Sequence, residues 1–168
     1  MNSMSSNKSS NLSGEVLVPG DKSISHRAII IGSMATGKIK IKNLLESDDV
    51  IATLEALKTL GIEIKKDKNI WEVFGNGIGN LSGSNFKLDM GNSGTGSRLL
   101  MGLLAGSNVE ATILGDESLS KRPMKRIIKP LMKTGAVFDD NDNNNLPIKI
   151  RGSKIPLPLE YNSRLVVG

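Results

Sequence analysis

Four side chains able to bind anions fall within "VPGDKSISHRAIIIGSMA", residues 18–35, directly before an apolar run. They are Lys22, Ser23, His26 and Arg27. A helix that begins here has unpaired N–H groups and a partial positive charge in its first turn. Because the two cations add to this field, the arrangement is favourable only when an anion binds there. The stretch therefore predicts an anion site, in which His26 has a structural role rather than that of an acid or base.

A glycine-rich stretch, "GNSGTGSR" at residues 91–98, allows several interpretations. Gly91 and Gly96 have P-loop spacing, but a Ser-Arg pair stands where Lys-Ser/Thr is required, and the G-x-G-x-x-G dinucleotide pattern is absent. Two alternatives remain open. One is a plain flexible turn, and the other is a strand-to-helix turn whose N–H groups and Thr95 hydroxyl bind an anion, with Arg98 close by.

A third cationic stretch, "DESLSKRPMKR" at residues 116–126, places Lys121 and Arg122 before another predicted helix start. Taken alone, it is typical of a solvated basic loop. However, equivalent helix ends of a stacked repeat lie on one face of the fold. The three cation-bearing helix starts are therefore predicted to form one positive pocket.

The first half of the sequence predicts the elements that position the first cations. A helix is expected over "SHRAIIIGSMA" with Ser25 as its N-cap, followed by a strand over "KIKIKNL". An amphipathic helix over "SDDVIATLEALKTLG" is expected to be capped by Ser47 or Asp48 and ended by Gly61. Two short strands follow around a turn at residues 66–69.

The second half repeats this order. It predicts a strand over "FKLDM", the glycine-rich turn, a helix over "RLLMGLLAG", a strand over "VEATILG" and a helix over "PMKRIIKPLMKTG". Pro123 is placed in the first turn of this last helix, and Pro130 is expected to kink or break it. A hairpin around residues 139–145 ends the unit. Arg27 and Arg98 occupy equivalent places, and each unit is expected to contain a small mixed sheet.

The composition limits the classes of function. The 168 residues are 38% hydrophobic, enough for a core, and carry a net charge of +5. No apolar run reaches the roughly 18 residues of a membrane span, and no secretory or transit signal is present. The absence of cysteine excludes a disulfide and a thiolate nucleophile, and a single histidine leaves little for a zinc site. We expect a cytoplasmic protein, and the 3% aromatic content argues against single-stranded nucleic acid as a partner.

Three motifs carry a resemblance to a known family. "PGDKSISHR", "GNSGTGSRLLMGLLAG" and "GDESLSKRPMKRIIKPL" occur in the order found in the 5-enolpyruvylshikimate-3-phosphate (EPSP) synthase family, and the resemblance extends over residues 12–161. The chain most resembles the class II bacterial enzymes, which are often glyphosate-tolerant. The related UDP-N-acetylglucosamine enolpyruvyl transferases have Lys-Asn where this chain has Lys22-Ser23, and they use a catalytic cysteine that this sequence lacks.

The resemblance implies an α/β (α+β) fold of repeated βαβαββ units, the inside-out α/β barrel of enolpyruvyl transferases. Family members are more than twice as long as this chain, so it is expected to be an N-terminal portion. The predicted organisation is a flexible tail at 1–11, a segment at 12–24 entering from the otherwise missing first domain, a first unit at 25–85, a second unit at 86–157 and the start of a third at 158–168.

The resemblance also implies a reaction, the transfer of the enolpyruvyl group of phosphoenolpyruvate to the 5-hydroxyl of shikimate 3-phosphate with release of phosphate. It proceeds through a tetrahedral intermediate without a metal or an organic cofactor. The residues carried over all bind the two anionic substrates: Lys22 (also the catalytic candidate), Gly94, Thr95 and Arg122 at phosphoenolpyruvate, Ser23 and Arg27 at shikimate 3-phosphate, and Arg98 in the same motif as Gly94.

The family's acid/base aspartate and Ser-Ala-Gln-x-Lys motif have no counterpart in this sequence, so the chain alone is expected to be inactive. The alternative is a non-catalytic fragment that binds phosphate or shikimate 3-phosphate. A nucleic-acid-binding module, like the related repeat of RNA 3′-phosphate cyclases, is a weaker alternative. The expected partners are small anions, with no nucleic acid and no membrane, in a family whose full-length members are usually monomeric. Gly94, in place of the alanine of some tolerant enzymes, predicts glyphosate sensitivity.

Overall fold

Two similar α+β units make up the chain in a computed structural model that describes residues 4–8, 10–139 and 145–162. The elements of the first unit are α1 (Lys22–Met34), β1 (Thr36–Lys42), α2 (Asp48–Thr59), β2 (Glu63–Asp67) and β3 (Ile70–Asn76). Those of the second are β4 (Ser82–Asp89), α3 (Gly94–Ala105), β5 (Asn108–Leu114), α4 (Glu117–Ser120), α5 (Lys125–Met132), β6 (Val137–Asp139) and β7 (Ile148–Arg151).

Each unit has its own sheet, and the two sheets share a common arrangement. The first has the strand order β1-β3-β2 with antiparallel pairs throughout, and Ile41 faces Trp71 across one of them. The second has the order β4-β5-β7-β6, in which β5, β7 and β6 repeat the antiparallel arrangement and β4 is added parallel to β5. Only the second sheet is therefore mixed, and the prediction of a mixed sheet in the first unit is wrong.

Three helices form the centre of the fold. The helix α1 packs against β3, α3 packs against β5 and β7, and α1, α2 and α3 contact one another. Their inward side chains are apolar, and Ile29, Leu54 and Leu100 are fully buried. Burying one such side chain contributes about 1.5–3 kcal/mol. Because the helices meet side by side, their N-terminal turns are brought close together.

The N-cap of the first helix lies four residues earlier than the sequence predicts. Asp21 caps it, because its Oδ1 accepts a hydrogen bond from the backbone N–H of Ile24 at 2.7 Å. The predicted cap, Ser25, is wrong: this residue is buried within α1, and its hydroxyl accepts from the N–H of Leu45 at 3.0 Å. Lys22 is therefore the first helical residue, and the predicted unit boundary at 24/25 falls inside a helix.

The third helix also begins earlier than predicted. It starts at Gly94 rather than Arg98, because the Ser93 hydroxyl caps it by accepting from the N–H of Gly96 at 3.3 Å. The strand-to-helix turn is thus limited to residues 90–93, and most of the glycine-rich stretch forms the first turn of α3 itself.

The last helix is shorter than predicted. Pro123 precedes the N-cap residue Met124 instead of occupying the first turn. Pro130 lies inside the helix, which ends two residues later at Met132, where the N–H of Lys133 bonds to the carbonyl of Pro130 in a tighter turn. This is the early end that the proline predicts. The short helix α4 has no counterpart among the predicted elements.

Some predictions concern residues outside the described part of the chain. The centre of the predicted 139–145 turn lies there, as do parts of the predicted tail and of the third unit. Residues 4–8 and 10–21 contain no helix or strand, so the described first unit lacks a counterpart of β4. Among the described residues, no helix combines the length and apolar character needed to cross a membrane.

Candidate anion-binding site

The N-terminal turns of α1, α2 and α3 meet at one buried side chain, that of Thr53 on α2. Its hydroxyl lies 2.9 Å from Nδ1 of His26 on α1 and donates to the carbonyl of Asp49 at 3.3 Å. From α3, Gly96 approaches so closely that a Cβ built on it would lie 2.4 Å from the Thr53 hydroxyl. Three partially positive helix ends are therefore brought to one place.

Lys22 has a carboxylate partner that the sequence reasoning missed. Its ammonium forms an ion pair with the side chain of Asp49, at the start of α2. Both groups keep some exposure, 48% for the Lys22 side chain and 21% for Asp49. Asp49 stabilises the N-terminus of its own helix and holds Lys22 at the start of α1. The stretch "SDD" predicted a helix cap at Ser47 or Asp48, and nothing in the spacing indicated that Asp49 pairs with Lys22.

Arg27 and Arg98 have the same geometry in the two units. In each, Nη1 donates to the backbone carbonyl four residues earlier, that of Ser23 at 2.9 Å and that of Gly94 at 3.0 Å. Neither arginine has an ion pair within the part of the chain that the structure describes. The predicted equivalence of the two arginines is confirmed. Both lie in the second turn rather than at the helix start.

Arg98 lies in a strongly positive environment. Burial, followed by the charges of Arg126 and Arg122, lowers the pKa of its guanidinium. Its Nε is buried and has no hydrogen-bond partner among the described residues. An anion at this point would relieve the repulsion between the guanidinium groups.

Arg122 is held by a polar chain that the sequence did not reveal. Its Nη2 donates to Oδ1 of Asn92 at 2.6 Å and to the hydroxyl of Ser118 at 3.3 Å. The amide of Asn92 donates in turn to Asp116 at 2.7 Å, and Asp116 caps α4 through the N–H of Leu119. The bond from Asn92 is the main reason that the pKa of Asp116 lies below its ordinary value.

Gly94 lies beneath the guanidinium groups of Arg98 and Arg122. A Cβ built on it would lie 3.0 Å from Nη1 of Arg98 and 3.0 Å from Nη1 of Arg122. The glycine therefore allows two planar cations to meet over the first turn of α3, an arrangement suited to a carboxylate or phosphate.

An open groove of about 590 Å³ continues from this point along α5. Its lining residues are Arg98, Arg122, Pro123, Lys125, Arg126 and Lys129. The predicted third cation pair is corrected in part: Lys121 is 73% exposed and pairs with Glu117 instead of lining the groove. The predicted sites Ser23 and Thr95 are exposed at the starts of α1 and α3.

His26 is fully buried at the junction of the three helices. Burial, together with the charges of Lys22 and Arg27, lowers the pKa of its imidazole from the ordinary value of 6.5. The described residues include no group of three or more acidic, histidine or cysteine side chains that could hold a metal ion.

These observations define a class: a repeated α+β fold with arginines near the N-terminal ends of its central helices. The comparison with known proteins places the chain within that class. The family profile described as EPSP synthase (3-phosphoshikimate 1-carboxyvinyltransferase) matches residues 6–165. The chain belongs to the EPSP synthase family.

Several relatives support this assignment. The chain is 48% identical over 160 residues to a 3-phosphoshikimate 1-carboxyvinyltransferase of Parvibaculum lavamentivorans, covering 95% of this chain and 36% of that protein. A relative of the same name from Streptococcus agalactiae is 49% identical, with 90% of this chain and 36% of that protein covered. The chain thus spans about a third of the length of these relatives.

A solved structure agrees with the fold. The EPSP synthase of Acinetobacter baumannii superposes with a TM-score of 0.77 and 41% sequence identity, over 83% of this chain and 32% of that one. The predicted α+β repeat fold is therefore confirmed. The roles of individual site residues remain predictions.

Proposed function

We propose that this chain forms one side of an active site that transfers the enolpyruvyl group of phosphoenolpyruvate to shikimate 3-phosphate. The observation that carries the proposal is that Arg27, Arg98 and Arg122 lack carboxylate partners among the described residues, within a chain of the EPSP synthase family. Both substrates are polyanions, and unpaired arginines beside helix N-termini supply the charge they need.

The two units take different substrates in this proposal. Arg98 and Arg122, meeting over Gly94, hold the phosphate or carboxylate of phosphoenolpyruvate, with the exposed hydroxyl of Thr95 at its edge. Ser23 and Arg27 hold shikimate 3-phosphate at the start of α1.

Lys22 contacts phosphoenolpyruvate in this proposal, with its ammonium oriented by Asp49. Its position at the start of α1, a helix that contacts α3, supports a place between the two proposed substrates. This is the position in which a cation stabilises charge that develops during transfer.

The proposal assigns binding and orientation to this chain, and not proton transfer. His26, the chain's one histidine, is buried and favours its neutral form. A general acid or base must reach the reacting atoms, which a fully buried imidazole does not.

A second candidate is a fragment that binds phosphate or shikimate 3-phosphate without chemistry. It is favoured by the span of the match, about a third of the length of the relatives. For either candidate we propose a monomer that acts in the cytoplasm on small anions, without nucleic acid, membrane or cofactor. This part rests on the family resemblance alone.

The test is to titrate the purified 168-residue chain with shikimate 3-phosphate by calorimetry and to assay phosphate release with both substrates present. We expect saturable binding that Arg27→Ala weakens and that Lys87→Ala, an exposed cation on β4, leaves unchanged. We expect no phosphate release above the buffer rate. Absence of binding would overturn the proposal. Release of phosphate would contradict the statement that this chain binds and orients the substrates but does not catalyse the reaction by itself.

A further inference from the structure

His26 is unusual among the residues around the site because it is buried, polar and incompletely paired. It is the single histidine of the chain and is fully inaccessible to solvent. Its Nδ1 lies 2.9 Å from the hydroxyl of Thr53, whereas its Nε2 is buried and has no hydrogen-bond partner in the part of the chain that the structure describes. Buried polar atoms are normally paired, so a half-paired imidazole at a junction of three helices needs an explanation.

The hydrogen bonds of Thr53 determine which nitrogen carries the proton. A threonine hydroxyl has one hydrogen, and Thr53 donates it to the carbonyl of Asp49 at 3.3 Å. Toward His26 the hydroxyl can therefore only accept. On this assignment of the hydroxyl hydrogen, the imidazole donates from Nδ1–H and Nε2 carries an unprotonated lone pair.

The charges around the ring oppose a second proton. Burial is the largest cause that lowers the pKa of His26, and the charges of Lys22 and Arg27, on the same helix, lower it further. From α2, the charged residue near this point is Asp49, whose carboxylate is paired with Lys22. From α3, the residue at the junction is the uncharged Gly96. The ring is therefore kept as a neutral donor.

The bond from His26 orients Thr53, whose hydroxyl contacts groups on both sides of the site. The backbone carbonyl of Asp49 accepts from the Thr53 hydroxyl, and the carboxylate of the same residue holds Lys22 at the start of α1. Gly96, in the first turn of α3, lies directly against the same hydroxyl. The equivalent buried position in α3 is Ser97, whose hydroxyl donates to the Ser93 carbonyl of its own helix at 2.7 Å. The inter-helix bond thus belongs to the first unit.

We propose that His26 is a positioning residue: by donating from Nδ1–H to Thr53, it fixes the start of α1, with Lys22, relative to the start of α3, with Gly94 and Gly96. Its effect on ligands rests on the proposed function, because the anion would bind between these two helix starts. Its effect on the geometry of the ligand-free protein is independent of the proposed function.

The first test reads the tautomer in the unmodified chain. Long-range ¹H–¹⁵N spectra of a single histidine are free of overlap. We expect the Nδ1–H tautomer at pH 7.5 and an imidazole that stays neutral at a pH below 6.5, the ordinary pKa. The Nε2–H tautomer, or protonation at or above the ordinary pKa, would overturn the proposal. This measurement decides the matter even where a variant fails to fold.

The second test distinguishes a role of Nδ1 from a role of Nε2. It uses substitutions that place an amide N–H near the position of one nitrogen or near that of the other. His26→Asn places it near Nδ1, His26→Gln near Nε2, and His26→Leu removes it. The matched control is Ser33→Ala, which removes another buried polar group of α1, one that bonds within its own helix at 2.6 Å. The readouts are the backbone amide shifts of Lys22 and Gly96 without ligand, and the affinity for inorganic phosphate.

We expect His26→Asn and Ser33→Ala to keep the wild-type amide shifts and phosphate affinity within about twofold. We expect His26→Gln and His26→Leu to move both amides and weaken phosphate binding by about fivefold or more. Equal effects of His26→Asn and His26→Leu, or unmoved amides in His26→Leu, would overturn the proposal. A wild-type chain that binds no phosphate would contradict the proposed function, while the ligand-free amide shifts would still decide the role of His26.

Discussion

The two units place equivalent arginines on helices that differ in what lies beneath them. Arg27 and Arg98 make the same hydrogen bond to the carbonyl four residues earlier. On the inner side of α1 the buried residues include His26, which reaches across to α2. On the inner side of α3 they include Gly96, which leaves room for the hydroxyl of Thr53. The first unit supplies a polar side chain and the second supplies space, so the repeat preserves the arginines and their hydrogen bonds but not the packing beneath their helices.

The outer faces of the units differ as well. The strand β5 alternates between buried and less buried residues, whereas its counterpart β1 is exposed along almost its whole length. Ile24 and Ile31 of α1 are 68% and 63% exposed, and an open groove of about 430 Å³ lies between α1 and β1. Equivalent sequence patterns therefore fix the order of the elements without fixing their burial.

The largest expected effect comes from filling the space at Gly96. In Gly96→Ala the new Cβ would lie 2.4 Å from the Thr53 hydroxyl and 2.5 Å from the Ser93 hydroxyl, which is the helix cap. We expect the free energy of unfolding to fall by about 1–3 kcal/mol or more, as for overpacked cores. Urea unfolding measures it.

The matched control for this change is on the same helix. Gly102 has open space where a Cβ would be added, so Gly102→Ala should be neutral or stabilising by up to about 1 kcal/mol. Similar unfolding free energies for the two variants would contradict the close packing of α3 against α2.

The second-largest expected effect is on the affinity for phosphate rather than on the stability of the fold. In Gly94→Ala the added methyl would lie 3.0 Å from the guanidinium groups of both Arg98 and Arg122, which are the ends of flexible side chains. We expect these groups to move, the fold to survive, and the affinity for phosphate to fall by about tenfold, the value of one lost charged hydrogen bond. Calorimetric titration against Gly102→Ala measures it, and an unchanged affinity would contradict the placement of the anion over Gly94.

The smallest expected effect concerns pH. Asp116 has a pKa below its ordinary 3.8 because Asn92 and the N–H of Leu119 donate to its carboxylate. A carboxylate with a lowered pKa stabilises the fold above its unfolded pKa, and this contribution is lost as the pH falls through the folded value. Wild type should therefore exceed Asp116→Asn in unfolding free energy at pH 6, and the difference should shrink below pH 3.8. A difference that is constant with pH would contradict the role of the charge.

Much of the fold could be predicted because it depends on local patterns. The order of helices and strands follows from hydrophobic periodicity and from glycine and proline positions, and the internal repeat identified Arg27 and Arg98 as equivalent. Helix starts were less certain, because several residues near each start can cap. Asp21 and Ser25 both have suitable side chains, and only the structure shows that Asp21 caps the helix while the Ser25 hydroxyl accepts from the N–H of Leu45.

The partners within the site could not be predicted, because they join residues far apart in the sequence. The pairing of Lys22 with Asp49 and the bond of Arg122 to Asn92 depend on how the units stack. The same holds for Thr53, which has no distinguishing neighbours in the sequence. The cations were visible in the sequence, whereas the groups that orient them appear only in three dimensions.

The central claim is that arginines near helix starts, which lack carboxylate partners among the described residues, form an anion site. It is tested most directly by thermal melts in phosphate at constant ionic strength. Phosphate at about a hundredfold excess over its dissociation constant should stabilise the chain by about 2.7 kcal/mol and raise Tm by about 5–10 °C. The increase should be much smaller in Arg27→Ala and undiminished in Lys87→Ala. An equal increase in wild type and Arg27→Ala would contradict a specific anion site at the start of α1.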